Sequence, residues 1–494
     1  MKPQQPCLIQ LWTTGMSLTE KTASEIVALL RSEAVTPFDL LDALEQRIAD
    51  VDGSVNALPT LCFERAREHA SALMAKPVEH RGILCGMPVA VKDLEPVSGV
   101  RTTWGSPIYQ DFVPTASDCM VEQIESNGGI IYAKSNTPEF GAGANTFNEV
   151  FGATLNPWNT TKSCAGSSGG SAVALATGTA WLATGSDLGG SLRNPASFCS
   201  IVGFRPSPGR VAHGAAATGA YPQDLGGLPN SPFPVSGPMA RNVPDLALFL
   251  DAMSGHHPAD PLSMPRERGD YTDAISSDWK PKRVAYSPDF GVTPVDSEVV
   301  RITEAAAQRF EEMGAVVERA HPDFTDVQEI FQVNRAMLFY ASSKGLLENK
   351  RELLKPEVIW NIEKARDVSM DDIEQVEEKR SRYLKRSVEF FNDYDLLLSP
   401  ATIVPPYPVE ERFVESCNGV EFDNYVEWLT IAYAITNTGF PAISVPAGFT
   451  NDALPVGLQI CAGPRAESQL LTAAARYEEV AGLAGLVPID PRSP

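Results

Sequence analysis

Histidine is scarce in this chain: six residues in 494, at His69, His80, His213, His256, His257 and His321, none at a metal-binding spacing. His69 falls on a polar helical stretch and His256-His257 in a proline-rich loop, so all six read as surface residues. Neither Ser167 nor Ser191, the serines of two glycine runs, has glycines at ±2 as in G-x-S-x-G, the strand-to-helix elbow of Ser-His-Asp hydrolases. The eight cysteines (Cys7, Cys62, Cys85, Cys119, Cys164, Cys199, Cys417, Cys461) are scattered without a CxxC pair. That argues against zinc and against a disulfide framework, and for reduced thiols in the cytoplasm. Basic residues are outnumbered, 40 against 62 acidic, for a formal charge of −22. Nucleic acids and anionic membranes call for basic stripes, so neither is an expected partner, and a strongly anionic substrate is disfavoured. No apolar run approaches the ~18 residues of a membrane span. The short apolar patch at Cys7–Trp12 is broken by Gln10 and lacks the features of a signal peptide.

What the chain does have is two glycine runs that each hold a serine. Gly166-Ser167-Ser168-Gly169-Gly170-Ser171 is followed by Asp187-Leu188-Gly189-Gly190-Ser191-Leu192-Arg193, with 24 positions between Ser167 and Ser191. Glycine lets the backbone turn several N–H groups toward one point. A serine among such donors has what acyl transfer needs, a nucleophile and a cradle for the negative charge that develops. Upstream, Pro88-Val89-Ala90-Val91-Lys92-Asp93 puts a lysine at the end of an apolar run, where burial eases loss of its proton. Three other readings fit less well. Gly166–Ser171 lacks the G-x-x-x-x-G-K-[ST] of a phosphate loop. Cys164, three residues before Ser167, has no histidine motif near it and reads as a small buried residue. Two chemically idle turns would not explain both runs together with Lys92.

The rest of the chain reads as α/β. Thr22-Ala23-Ser24-Glu25 is a capping box opening a first helix, and Thr36-Pro37-Phe38-Asp39 opens a second, with apolar stripes following each. Val89–Lys92 and Gly129–Ala133 read as buried strands, Met120–Ser126 and Ser171–Thr177 as helices between strands. Residues 254–282 read as a surface loop. Arg283–Tyr286, Leu396–Pro400 and Ala442–Pro446 read as strands, Glu298–Met313 as a helix, and Pro356–Tyr394 as a long charged helical region. The expected fold is one large α/β/α sandwich, its central mixed, mostly parallel sheet covered by helices. The glycine runs fall at strand–helix junctions, where such folds bind ligands.

Lys92 in "MPVAVKD", the "GSSGGSA" loop and "DLGGSLRNPASFCSIVGFRPS" together resemble the amidase signature family, in order and in serine spacing. "AKSNTPEFG", "FGATLNPWN" and "VSGPMARNVPDLALFLDAM" agree, and the likeness is strongest over about 84–253. One departure is Ala165, where the family commonly has glycine. The resemblance implies one amidase domain over 1–494, with a variable substrate-covering region at about 320–435. It implies Ser191 as the nucleophile of an acyl-enzyme, Ser167 as a bridging serine after a cis peptide bond, and Lys92 as the base. The backbone N–H groups of Leu188, Gly189, Gly190 and Ser191 would hold the oxyanion, and Gly141 would line the acyl pocket. Ser168 would orient Lys92, with Asp187 organising the loop and Arg193 in a structural salt bridge. No cofactor and no metal are implied.

The expected activity is hydrolysis of a neutral, partly apolar carboxamide: aryl, alkyl, or a carbamate (urethane). Phe331, Phe339, Tyr340, Trp360, Tyr425, Trp428 and Tyr433 are candidates to cover the site. The expected partner is a small-molecule amide, with the chain a monomer or homodimer. The alternative is the amidase subunit of a glutamine-dependent tRNA amidotransferase complex, although the segment after Arg205 looks unlike the corresponding segment there. A catalytically dead binding protein conflicts with the intact Lys-Ser-Ser set.

Overall fold

A computed structural model describes residues 17–215, 217–225, 231–267 and 269–493, so Cys7 and the patch at Cys7–Trp12 lie outside the described residues. Local rules set the first elements. Helix Ala23–Arg31 opens on Thr22, whose hydroxyl accepts from the Glu25 amide while Glu25 accepts from the Thr22 amide, so two of the orphan donors are satisfied reciprocally. Helix Pro37–Val51 repeats the device with Thr36 and Asp39, and Pro37 takes the first turn, where a missing N–H costs nothing.

The described residues build an eleven-stranded sheet. Numbered along the chain, its strands are β1 (Thr60–Leu61), β2 (Pro88–Lys92), β3 (Ile130–Ser135), β4 (Leu182–Asp187), β5 (Val202–Arg205), β6 (Val235–Ala240), β7 (Arg283–Tyr286), β8 (Val316–Arg319), β9 (Leu396–Pro400), β10 (Ala442–Phe449) and β11 (Pro455–Ala462). Their order across the sheet is β1-β3-β2-β4-β6-β5-β10-β11-β9-β7-β8. The sheet is mixed. Parallel pairing occupies the β3–β2–β4 and β9–β7–β8 blocks, and an antiparallel run joins them. Strands on both sides of 254–282 share this sheet, and the described residues of that segment are irregular apart from the short helix Tyr271–Ala274.

Helices cover both faces. Gly169–Thr177 and Arg193–Cys199 pack on each other and on the strands, with every residue of both buried. Val243–Met253, Ser297–Glu312 and Glu467–Ala481 form another packed layer. Every residue of β2 and β3 is buried, which is why these strands read as continuous apolar runs rather than alternating ones. Two differences from the sequence reading stand out. The region Pro356–Tyr394 is two helices, Pro356–Lys364 and Met370–Phe390, because Ser369 caps the second with Asp372 in its own capping box. Val327–Lys350, a 24-residue helix, lies over the site end of the sheet and has no counterpart in the sequence reading.

Candidate active site

The parallel pairing of β2 with β4 brings Lys92 and Asp187, the last residues of the two strands, to the same end of the sheet. The chain leaving β4 makes the Leu188–Ser191 turn. The Gly166–Ser168 turn meets it, because the Ser168 amide donates to the Ser191 carbonyl at 3.2 Å. Gly166-Ser167 is a cis peptide. Ala165 stands at φ +58°, the left-handed region, which accounts for glycine being the more common residue there. Gly141 also has a positive φ, +70°. A Cβ on it would lie 3.3 Å from Ser167 Oγ and 3.1 Å from Leu94 Cδ1, so a larger residue would crowd that hydroxyl.

Lys92 is completely buried, and its Nζ lies 2.7 Å from Ser167 Oγ, 2.9 Å from Ser186 Oγ and 3.0 Å from Ser168 Oγ. No carboxylate among the described residues is paired with it. Burial pulls its pKa down to about 8, against the opposing pull of Glu95 and Asp187. Ser186 is the member of this cluster that sequence reasoning missed. Its signal was present, since it directly precedes Asp187 on the strand beside β2.

Asp187 and Arg193 are both fully buried, and their task is to hold the turn. Asp187 accepts from the Gly190 and Leu192 amides at 3.1 and 3.2 Å, from Arg193 at 2.8 and 3.0 Å, and from Arg205 at 3.3 Å. Burial alone would raise its pKa; the two guanidiniums outweigh that and keep the carboxyl well below its usual range. Because the Gly190 N–H is engaged with Asp187, it stands apart from the other expected oxyanion donors. The N–H groups of Leu188, Gly189 and Ser191 have no hydrogen-bond partner among the described residues. Ser191 Oγ likewise makes no hydrogen bond among them, to Ser167 or otherwise, although both serines line one cleft.

That cleft encloses about 200 Å³. Leu94, Trp104, Phe140, Tyr221, Leu225 and Phe339 supply its apolar walls, and Gly141, Leu188, Ser186 and Asp187 lie near the serines. Of the seven aromatics singled out from the covering region, Phe339 alone reaches it. Phe331 stacks on Tyr433 with ring centroids 4.0 Å apart, Trp360 meets Tyr425 edge-on, and Trp428 meets Tyr407. The other aromatic walls come from the first half of the chain, where only folding brings Trp104, Phe140 and Tyr221 together. His213 is a correction as well: it lines the cleft rather than lying on the open surface. Cys164 is not an available thiol, being fully buried, with Sγ 3.4 Å from the Thr154 carbonyl and burial pushing it up to about 12. Among the described residues no group of histidines, cysteines and carboxylates could hold a metal, and no helix is long and apolar enough to cross a membrane.

Comparison with known proteins finds relatives over nearly the whole chain. The family model described as Amidase matches residues 39–471. An acylamidase of Rhodococcus erythropolis is 34% identical over 97% of this chain and 99% of its own length. A glutamyl-tRNA(Gln) amidotransferase subunit from Halothermothrix orenii is 31% identical over 94% and 98%. A bacterial aryl acylamidase of the amidase signature enzymes superposes with a TM-score of 0.85 at 27% identity, covering 94% of this chain and 97% of that one. The chain belongs to the amidase signature family and is an amide hydrolase.

Proposed function

We propose that Ser191 attacks the carbonyl carbon of a neutral, partly apolar carboxamide, with Ser167 and Lys92 as the proton relay. One observation carries this reading: Lys92, buried and without a carboxylate partner among the described residues, lies 2.7 Å from the hydroxyl of Ser167 in the cleft that also holds Ser191. A serine hydroxyl attacks well only if its proton leaves as the C–O bond forms. As substrate enters, Ser191 Oγ turns toward Ser167, its proton passes to Ser167, and the Ser167 proton passes to neutral Lys92. The Leu188, Gly189 and Ser191 amides take the oxyanion. Collapse of the tetrahedral intermediate breaks the C–N bond, and the relay run backward protonates the departing nitrogen. Water then attacks the acyl-enzyme by the same route, releasing the acid and restoring Ser191.

The apolar cleft supports aryl and alkyl amides, with carbamates in the same range, over the polar side chain of glutamine. We read the chain as one amidase domain. Its region at 320–435 covers the site through helix Val327–Lys350, which supplies Arg335, Leu338, Phe339, Ser342 and Ser343. A cytoplasmic location goes with this reading and is supported by the seven unpaired cysteines of the described residues.

The test is a hydrolysis screen of the purified chain against anilides, aliphatic amides, carbamates and glutamine, with fluorophosphonate labelling of Ser191. Turnover of anilides by the chain alone, lost on labelling, is the expected result. Release of ammonia from glutamine only with partner subunits and charged tRNA would instead establish the amidotransferase role.

A further inference from the structure

The wall of the cleft nearest Lys92 holds a group that acyl transfer at Ser191 leaves unexplained. Its buried ionisable neighbours are saturated. Asp93 accepts from the Thr103 amide and hydroxyl and lies 3.3 Å from Lys134. Lys134 donates to the Glu95 carbonyl at 2.6 Å and to Thr102 at 3.0 Å. Asp118 accepts from the Met120 and Gly214 amides and from the Tyr221 hydroxyl.

Glu95 is the exception. It is 5% exposed and lines the cleft, and its Oε2 is buried with no hydrogen-bond partner among the described residues. Native structures satisfy nearly all such atoms, and a ligand is one way of doing so. Burial chiefly pushes this carboxyl up to about 8; Asp118 and Asp93 add to the rise, and Lys92 and Lys134 oppose it. A carboxyl balanced between its acid and its anion has two complementary partners. The acid both donates and accepts, matching a carboxamide, and the anion accepts only, matching an ammonium. Both partners present N–H. Trp104, Phe140 and Tyr221 line the same cleft and suit an apolar spacer.

Resting on the hydrolase reading above, we propose that Glu95 is a specificity-determining residue. It receives an N–H donor of the substrate, so that preferred amides carry a second nitrogen, as amine or carboxamide, away from the scissile bond. A site built to pair a substrate N–H rejects the analogue that lacks it, because the buried group is then left unpaired.

The experiment compares kcat/KM for amides of equal length whose far end is a methyl, a primary amine or a primary carboxamide. Two series place that end on the acyl side or on the leaving-amine side. In one series we expect the amine or the carboxamide to exceed the methyl compound by about tenfold or more. Glu95→Leu should erase the margin, and Glu95→Gln should keep it for the carboxamide and lose it for the amine. Should Glu95→Leu not fold, a pH series on the wild type decides. The margin for the amine must grow, and that for the carboxamide shrink, as Glu95 ionises among Lys92, Asp93, Asp118, Lys134 and the cleft-lining His213. A methyl compound equal to the others in both series, a margin surviving Glu95→Leu, or margins flat from about pH 6 to 9 would overturn the role of Glu95 alone. Failure of the wild type to cleave any member would overturn the hydrolase reading itself.

Discussion

Lys92 ends β2, Lys134 lies on the adjoining β3, and water reaches neither side chain. Lys134 has a carboxylate, Asp93, 3.3 Å away, and two oxygen acceptors besides. Lys92 has three alcohols and no carboxylate within salt-bridge distance among the described residues. Burial lowers both pKa values, opposed at Lys92 by Glu95 and Asp187 from beyond salt-bridge distance and at Lys134 by Asp93 in direct contact and by Glu95. A buried ammonium with a counter-ion is a structural element; one surrounded by hydroxyls gives up its proton easily. What separates the proposed base from a scaffold lysine is therefore one carboxylate in direct contact, not depth in the protein.

The comparison breaks first on activity. Ser191→Ala should cut kcat/KM by at least about 10⁴-fold, and Lys92→Met by about 10²–10⁴, with circular dichroism unchanged. Full activity in either variant would refute the relay. Stability separates the two lysines in opposite directions. Lys134→Met leaves Asp93 buried without its counter-ion and should cost about 3–5 kcal/mol in urea unfolding. Lys92 binds its proton less readily when folded (pKa about 8) than in the ordinary range near 10.5. Its unfavourable contribution is thus complete below pH 8 and fades as pH rises toward 10.5. Lys92→Met should accordingly stabilise the protein at pH 7, by up to about 3 kcal/mol, with the gain shrinking at higher pH. Equal effects of the two substitutions would erase the distinction.

A finer measurement is the pH profile. kcat/KM should rise about tenfold per pH unit up to about 8 and level off above it, as Lys92 becomes neutral. Glu95→Gln removes a carboxyl that, once ionised, holds Lys92 up, so the plateau should be reached at lower pH; a profile flat from about pH 5 to 9 would count against a lysine base. The smallest effect is expected at Gly141→Ala, where the new methyl meets Ser167 Oγ at 3.3 Å. A several-fold drop in kcat with little change in melting temperature would show that the spacing around Ser167 matters beyond Lys92.

The parts legible in the sequence are those that local chemistry dictates. Capping boxes at Thr22 and Thr36 mark their helices, unbroken apolar runs mark β2 and β3, and glycine runs mark the turns that meet at the cleft. What stayed hidden depends on contacts distant along the chain. Trp104, Phe140, Tyr221 and His213 look like ordinary core or surface residues until the fold gathers them. Helix Val327–Lys350 is apolar on more than one side, since it packs on neighbouring helices and faces the cleft at once, and this blurs its period. The missed Ser369 cap had a readable pattern, Ser-x-x-Asp, masked by the surrounding run of charge.

Along helix Val327–Lys350, Arg335, Leu338, Phe339, Ser342 and Ser343 recur at intervals of three and four, forming one stripe toward the cleft. The Leu188–Ser191 turn is anchored elsewhere, on Asp187, Arg193 and Arg205. This one wall of the cleft and the turn that carries Ser191 are thus mounted on separate supports. Drift along a single stripe can retune which molecules are accepted while the bond-breaking parts stay untouched, so the fold can change its diet without relearning its chemistry.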